Sequence, residues 1–412
     1  MTVTRGSRLT IIGGGVMGLM TAYYAAPLAS SVTVLDKSRV GDPGTASFGL
    51  TRSVRNDYLD PQYSRLAFEA RRLWLDLQER AGQRLLVDCG CLNLAKASVT
   101  PDIPASYAAR SFAVLEDLQL RREALAGPEL AGRFPQFAAD SGWLDVDAGF
   151  ADVAAVTALL RSVVPALGAD IREETQIRAI TRSGDGWLVQ TDRGPVESEV
   201  LVITAGLGTN DLLELINGCP VRFPLSPDRP MQSKYLIPGS GDRHLYTEDV
   251  LPVFAYLDVG IYGHPLYAGK TPGVKIGFYH PPDATPVASN INSVEDFVAE
   301  CMPGLRGAET VDVAEASGVD TCFYDLVGDD EFILGPLPGA DGAVGGAFVG
   351  VGWRGTGYKF APWVGRVLAQ LAVQQGTVYD ISRFTPGRFA PGQQNGLHSG
   401  VQAGVQTGGT AA

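Results

Sequence analysis

From residue 9 the chain alternates short apolar runs with small or polar breaks, and the period of each run predicts an element. Leu9-Thr10-Ile11-Ile12 reads as a strand, and Gly13-Gly14-Gly15-Val16-Met17-Gly18 as a tight turn opening a helix over 16–29. Ser31-Val32-Thr33-Val34-Leu35 reads as a second strand, ending at Asp36. A helix is expected over 61–81, with Leu66, Leu73, Trp74 and Leu77 on one side. A strand over 85–94, a helix over 112–120 and a loop-rich stretch around Phe134-Pro135 follow. Asp152 is placed to cap an apolar helix over 153–167. Short strands are expected over 170–172, 176–183 and 187–191. Val200-Leu201-Val202-Ile203 has the unbroken hydrophobicity of a buried parallel strand, and it ends at the small-residue turn Thr204-Ala205-Gly206.

Over 221–318 the pattern changes to alternation, with strands at 235–237, 253–257, 260–262 and 274–279 and one helix at 294–301. This spacing predicts an antiparallel sheet. Strands at 332–334 and 347–351, a Gly-rich turn and a helix over 361–375 return to the earlier style. The predicted fold class is α/β plus α+β. A Rossmann-like nucleotide-binding domain is built from 1–85, 150–218 and 320–388, and an inserted substrate domain from 86–149 and 219–319. Such an insertion puts a ligand cleft at the domain junction. Residues 389–412, rich in Gly, Gln, Thr and Ala, are expected to be a disordered tail.

The first unit also carries chemistry. Gly13, Gly15 and Gly18 fill the G-x-G-x-x-G pattern between a strand and a helix. The glycines permit a tight turn, close approach of a pyrophosphate and close packing of helix on strand, while the helix N-terminus offers free N–H groups. Asp36 stands where an acid accepts hydrogen bonds from a ribose diol. A dinucleotide site follows.

Composition narrows the picture. A chain of 412 residues with 45% hydrophobic and 19% charged residues is globular and long enough for two domains. No apolar run approaches the ~18 residues of a membrane span. The N-terminus runs straight into the first strand, which leaves no room for a signal peptide and predicts a cytoplasmic protein. Five cysteines do not suggest a disulfide scaffold, and neither the Cys89/Cys91 pair nor the four histidines His244, His264, His280 and His398 form a metal motif. A net charge of −12 excludes the basic surface that nucleic acid requires.

Four stretches remain: Thr51-Arg52-Ser53-Val54-Arg55, Gly273-Val274-Lys275-Ile276-Gly277, Cys322-Phe323-Tyr324 and Gly355-Thr356-Gly357-Tyr358-Lys359-Phe360-Ala361-Pro362. With the N-terminal fingerprint they resemble the monomeric sarcosine oxidase group of the D-amino-acid-oxidase-like flavoenzymes, over residues 8 to about 385. The last stretch and Tyr379-Asp380-Ile381-Ser382 are the specific parts. Within the group there is a likeness to the piperideine-carboxylate oxidase of nikkomycin biosynthesis, whose subgroup oxidises cyclic imino acids in a natural-product setting. The resemblance implies FAD in a glutathione-reductase-2-type fold, a small amino or imino acid and O2 as partners, and a monomer.

It also implies roles. Cys322 matches the cysteine that holds FAD through an 8α-S-cysteinyl thioether, with Tyr324 completing the motif and placed among the catalytic residues. Lys275 matches the lysine that activates oxygen beside flavin N5, and a cation in an apolar strand invites that reading over a lysine facing solvent. Arg55 and Lys359 match the pair that grips the substrate carboxylate, and Arg52 the arginine beside the flavin ring. Thr51, Ile177, Ala205, Gly206, Gly355, Gly357 and Lys359 join the cofactor-binding set. The helix starting near Ala361 would point its N-terminus at the flavin pyrimidine. Tyr279 and Thr356 stand where the family often has histidines, so the substrate differs from sarcosine or stays open; Tyr262, His264 and Tyr267 are expected as pocket walls.

The reaction so implied is oxidation of a secondary or cyclic amino or imino acid, of sarcosine, proline, pipecolate or piperideine-carboxylate type. Hydride passes to flavin N5, an imine is formed, and O2 is reduced to hydrogen peroxide. The alternatives are a flavin dehydrogenase with a non-oxygen acceptor and a non-catalytic flavin-binding scaffold. Peroxide release separates the first, and bleaching of the flavin by substrate the second.

Overall fold

The computed structural model describes residues 7–227, 232–279, 289–312, 323–339 and 342–390. The apolar runs at the two ends of the chain meet in one six-stranded sheet. Its order is Ile333–Gly339, Gly342–Val351, Val200–Ile203, Arg8–Ile12, Ser31–Leu35 and Asp170–Arg172. Neighbours run parallel, apart from the edge hairpin of Ile333–Gly339 with Gly342–Val351. Helices cover one face, over Val202, and the three-stranded sheet of Ile177–Ser183, Gly186–Thr191 and Gly194–Ser198 packs on the other, over Leu201 and Ile203, so all three are fully buried. Helix Val16–Ala25 lies against helix Ala361–Gln374, where a Cβ on Gly365 would stand 2.5 Å from the backbone carbon of Met20.

A second sheet of eight strands carries the other half of the core. Its order is Glu309–Asp312, Gln232–Ile237, Val274–Phe278, Ile261–His264, Val253–Tyr256, Cys91–Ala95, Ser141–Asp145 and Arg122–Ala126. Pairing is antiparallel except at the seam, where Val253–Tyr256 runs parallel to Cys91–Ala95. That seam joins two segments far apart in sequence. Between the two large sheets, Thr51–Val54, Gly149–Asp152 and Leu86–Val87 form a small third sheet.

Helix Pro61–Ala81 starts and stops as read, because Asp60 accepts from the Gln62 N–H, Pro61 occupies the first turn and Gly82 closes the end at φ 60°. Other boundaries move for local reasons. The first helix ends at Ala25 and not at 29, since Pro27 lacks the N–H to continue it. The strand expected over 85–94 is two strands in different sheets, separated at Gly90 with φ 78°. The helix expected at 112–120 spans Tyr107–Asp117, because the Ser106 side chain accepts from the Ala109 N–H and starts it earlier. Phe389, assigned to the tail, is 2% exposed in the turn Pro386–Phe389 and packs edge-on against Phe223. The rest of that tail from residue 391, Cys322 and His280 lie outside the described residues. Among the described residues no helix is long and apolar enough to cross a membrane, and no cluster of His, Cys, Asp or Glu is placed to hold a metal ion.

Candidate active site

A cleft of about 490 Å³ runs along the carboxyl ends of the parallel strands, where open α/β sheets bind ligands. Gly13 turns there at φ 110°, and a Cβ on it would stand 2.5 Å from the Thr204 carbonyl oxygen. A Cβ on Gly18 would stand 1.8 Å from the Gly13 oxygen, so the helix packs on the strand only because both residues lack side chains. The Val16 N–H at the helix start donates to Ser47 Oγ at 2.9 Å. Asp36 is fixed in the cleft wall, accepting from the Gly14 N–H at 2.5 Å and the Ser38 N–H at 2.7 Å. Burial pushes its carboxyl up, against the pull of these two donors. A bare backbone turn, a helix N-terminus and a fixed acid at the strand end are the donor and acceptor set of a dinucleotide, and FAD fits it.

Gly13, Gly15, Asp36, Arg52, Ile177, Ala205, Gly206, Gly355 and Gly357 line this cleft. Gly18 does not; its place is in the helix–strand packing beneath. Thr51 and Lys359, assigned to the cofactor from the sequence, line the adjoining cavity instead.

That second cavity, of about 70 Å³, meets the cleft at Arg52, Tyr324, Gly355 and Tyr358, which line both. Its walls come from different sheets. Strand Thr51–Val54 and the residue after it bring Thr51, Arg52, Ser53 and Arg55; strand Val274–Phe278 brings Lys275; strand Ile261–His264 brings Tyr262 and His264. The turn before the C-terminal helix brings Thr356 and Lys359, and Tyr279 closes the rim.

Three cations are buried here: Arg55 at 6%, Lys275 at 5% and Lys359 at 5% exposure. Lys275 therefore faces the interior, with Nζ 5.6 Å from the centre of the Tyr262 ring. The Arg55 guanidinium lies 4.6 Å from the centre of the Tyr58 ring, and Lys359 Nζ 5.5 Å from it. Lys359 Nζ donates to Thr356 Oγ1 at 2.7 Å and to the Thr356 carbonyl at 3.0 Å, while Tyr58 and Thr356 share a hydroxyl hydrogen bond of 2.6 Å. Trp74 Nε1 donates to the Lys359 carbonyl at 2.9 Å and so pins this turn to the long helix. Burial pushes the Lys359 ammonium well below the usual lysine range, and the charge of Arg55 adds to the effect. Arg55 also feels burial, but Asp57, paired with it at 3.0 Å, holds it firmly charged. Arg52 donates to the Thr51 carbonyl at 3.2 Å and to the Phe48 carbonyl, and lies over the Tyr358 ring.

His264 does more than provide a wall. Its Nδ1 shares a 2.7 Å hydrogen bond with Thr51 Oγ1, and its Nε2 one of 2.7 Å with Ser53 Oγ, tying the arginine strand to the lysine sheet. Burial, then Lys275, Arg52 and Lys359, push its pKa far down, so the ring is neutral. Tyr267, expected beside it, packs edge-on to Phe150 and does not line the cavity. Asp57 and Tyr58 were not singled out from sequence, although they sit two and three residues beyond Arg55; a polar Asn-Asp-Tyr run just after a strand was the available signal. For His264 the signal was a histidine in an alternating strand, which does not reveal its partners.

The sequence model of the FAD dependent oxidoreductase family, DAO, matches residues 8–371. The chain belongs to this family. Among DAO proteins, the peroxisomal sarcosine oxidase of Homo sapiens is 27% identical over 404 residues, covering 92% of this chain and 95% of its own. The monomeric sarcosine oxidase of Bacillus sp. (strain B-0618) is 24% identical over 397 residues, covering 92% and 95%. The solved open form of NikD, an unusual amino acid oxidase essential for nikkomycin biosynthesis, superposes with a TM-score of 0.70 at 24% identity, covering 93% of this chain and 98% of that one. That likeness shows the fold. The family, the mixed α/β architecture and FAD-dependent oxidase chemistry read from the sequence are borne out.

Proposed function

We propose that this chain oxidises a secondary or cyclic amino or imino acid with FAD as cofactor and O2 as electron acceptor. The observation that carries this reading is the pair Arg55 and Lys359, two buried cations in a cavity that adjoins the dinucleotide cleft. A carboxylate is the ligand that relieves their desolvation, by charge-assisted hydrogen bonds. Held at that end, the C–N bond of a small substrate lies toward the junction with the cleft. Bound FAD would supply the two-electron acceptor for that bond.

The chain's own residues supply orientation and charge. Val253, Phe254 and Leu257 line the cavity with apolar surface and exclude water. Lys275 provides a fixed, buried cation where negative charge develops on dioxygen, and a low-dielectric site makes that charge effective. Neutral His264 keeps Thr51 and Ser53 in place and adds no further positive charge. A neutral amine substrate requires no base to lose its proton, and none of these groups is assigned that task.

Three finer points belong to the same proposal. Cys322 carries FAD covalently; its neighbours Phe323 and Tyr324 line the cleft, which supports the reading. The pieces 1–85, 150–218 and 320–388 act as the FAD-binding domain around a substrate domain of 86–149 and 219–319. The enzyme works as a monomer in the cytoplasm, which sedimentation and cell fractionation would check.

The experiment is a denatured, acid-precipitated sample examined for yellow colour and intact mass, followed by a peroxide assay over N-methyl and cyclic amino acids. The expected result is a chain heavier by one FAD, a gain lost in Cys322→Ala, with peroxide released from at least one carboxylate-bearing amine. Dye reduction without peroxide would replace the oxidase by a dehydrogenase. A flavin that no amine bleaches would leave a binding protein.

A further inference from the structure

The carboxylate end of the cavity already contains a carboxylate. Asp57 Oδ2 stands 3.0 Å from Arg55 Nη1, and the Asp57 carbonyl accepts from the same nitrogen at 2.5 Å. Both side chains are buried, Asp57 to 1% exposure. Asn93 Nδ2 holds Asp57 Oδ2 from behind at 2.6 Å, and the Tyr107 hydroxyl donates to the Asp57 carbonyl at 3.2 Å. Asp57 does not line the cavity, so it is not placed to touch a substrate. It touches the residue that is. With a ligand bound and Lys359 protonated by it, Arg55, Lys359 and Asp57 together leave this end of the cavity with one net positive charge.

A second observation makes the arrangement unusual for mere packing. The environment around Asp57 has more acceptors than donors: Asp57 Oδ1, Asn56 Oδ1 and Asn93 Oδ1 are all buried without a hydrogen-bond partner. Beside them Asp145 accepts twice from Asn56, and burial followed by the charge of Asp57 pushes its carboxyl up. A buried carboxylate with an orphaned oxygen is costly, and its strong compensating contact is Arg55. The charge of Asp57 also acts on Lys359, opposing the effect of Arg55 there.

We infer that Asp57 is a specificity-determining counter-ion, which sets the carboxylate end of the cavity to a single positive charge and so selects amino or imino acids with one carboxylate over those with a second. This rests on the carboxylate-binding role of Arg55 and Lys359 proposed above. Its physical content is simple: removing one negative charge changes the potential at the site, and a dianion responds to that change twice as strongly as a monoanion.

The test uses the FAD-loaded full chain and calorimetric binding of acetate and malonate, a monoanion and a dianion, at pH 8. Wild type binds acetate more tightly than malonate. In Asp57→Asn, acetate tightens by about tenfold and malonate by about a hundredfold. The double variant Arg55→Gln/Asp57→Asn removes the pair as a unit without leaving a buried unpaired charge. It binds both more weakly, with the malonate-to-acetate ratio back within about threefold of wild type. If the single variant does not fold, the double variant decides alone. Equal tightening of the two ligands, no change in either, or a double variant with a shifted ratio overturns the inference while carboxylate binding stands. Wild type that binds neither ligand overturns the underlying carboxylate site, and this inference with it.

Discussion

The dinucleotide cleft depends on bare backbone at its glycine turn, whereas the adjoining cavity depends on side chains, four of them Arg or Lys, drawn from two sheets and the turn before the C-terminal helix. Around the cleft, glycines act by what they lack, since a single Cβ on Gly13 or Gly18 would overlap the neighbouring main chain. Around the cavity, several groups depend on partners distant in sequence, Lys359 on Tyr58 and Trp74, Arg52 on Tyr358, and neutral His264 on Thr51, while Arg55 is paired locally with Asp57. A backbone site tolerates changes in surrounding side chains and fails when space is filled. A side-chain site fails by losing charge or hydrogen bonds, and its failures are graded.

The largest expected effect is in the cleft. Gly18→Ala would put a Cβ 1.8 Å from the Gly13 oxygen and 2.8 Å from Thr204 Oγ1, forcing helix and strand apart. The expected cost is about 3 kcal/mol, the upper end of overpacking, with loss of bound flavin. Thermal unfolding and flavin content measure it. A melting temperature within ~2 °C of wild type would show that the cleft is not limited by this contact.

Next comes the cavity. Lys359→Met keeps the stem and removes the charge, so kcat/KM for a carboxylate substrate should fall by about a hundredfold, as expected for one charge-assisted hydrogen bond of about 2–3 kcal/mol. Flavin content should stay at the wild-type level. Loss of flavin in this variant would erase the distinction between the two regions.

The same lysine gives a pH effect of known sign. Its pKa in the free protein is depressed by burial and by Arg55, and a bound carboxylate favours the charged ammonium. Binding of acetate should therefore take up as much as about one proton, in the window between the depressed pKa and the higher pKa of the complex, and affinity should fall as pH rises through that window. Calorimetry in two buffers of different ionisation enthalpy measures the uptake. Zero uptake across the pH range would mean that Lys359 does not meet the ligand's charge.

The smallest effect belongs to His264. Its pKa lies well below the ordinary 6.5, so the unfolded chain binds more protons as pH drops and stability falls below about pH 6.5. The slope approaches ~1.4 kcal/mol per pH unit for one group. His264→Phe should lose this component and, with Thr51 Oγ1 left buried and unpaired, about 1–2 kcal/mol at neutral pH. An unchanged slope in denaturant titrations at pH 5 and pH 7 would remove His264 from the account.

The different origins of the two regions explain what could be read in advance. Gly13, Gly15, Gly18 and Asp36 fall within one strand–helix–strand unit, so their spacing along the chain is nearly their spacing in space. Cavity residues such as Arg55 and Lys359 are reached through resemblance to a family, and Lys275 through that resemblance together with its place in an apolar strand. Tyr267 shows the limit of proximity in sequence: three residues from His264, it points to Phe150 and away from the cavity. Asp57 shows the converse, since no periodicity reveals that an acid two residues beyond an arginine folds back on it.

Sequence alone sufficed for the first strand–helix–strand unit, its glycine turn, the long capped helix and the presence of a dinucleotide site, because each rests on contacts between residues near one another in the chain. Tertiary structure alone decided that Thr51–Val54, Ile261–His264 and Val274–Phe278 face one cavity, that Asp57 offsets Arg55, and that His264 stays neutral between two hydroxyls. These depend on which sheets pack together and on how far burial raises the cost of charge. Both are properties of the assembled fold, set by contacts that span tens to hundreds of residues.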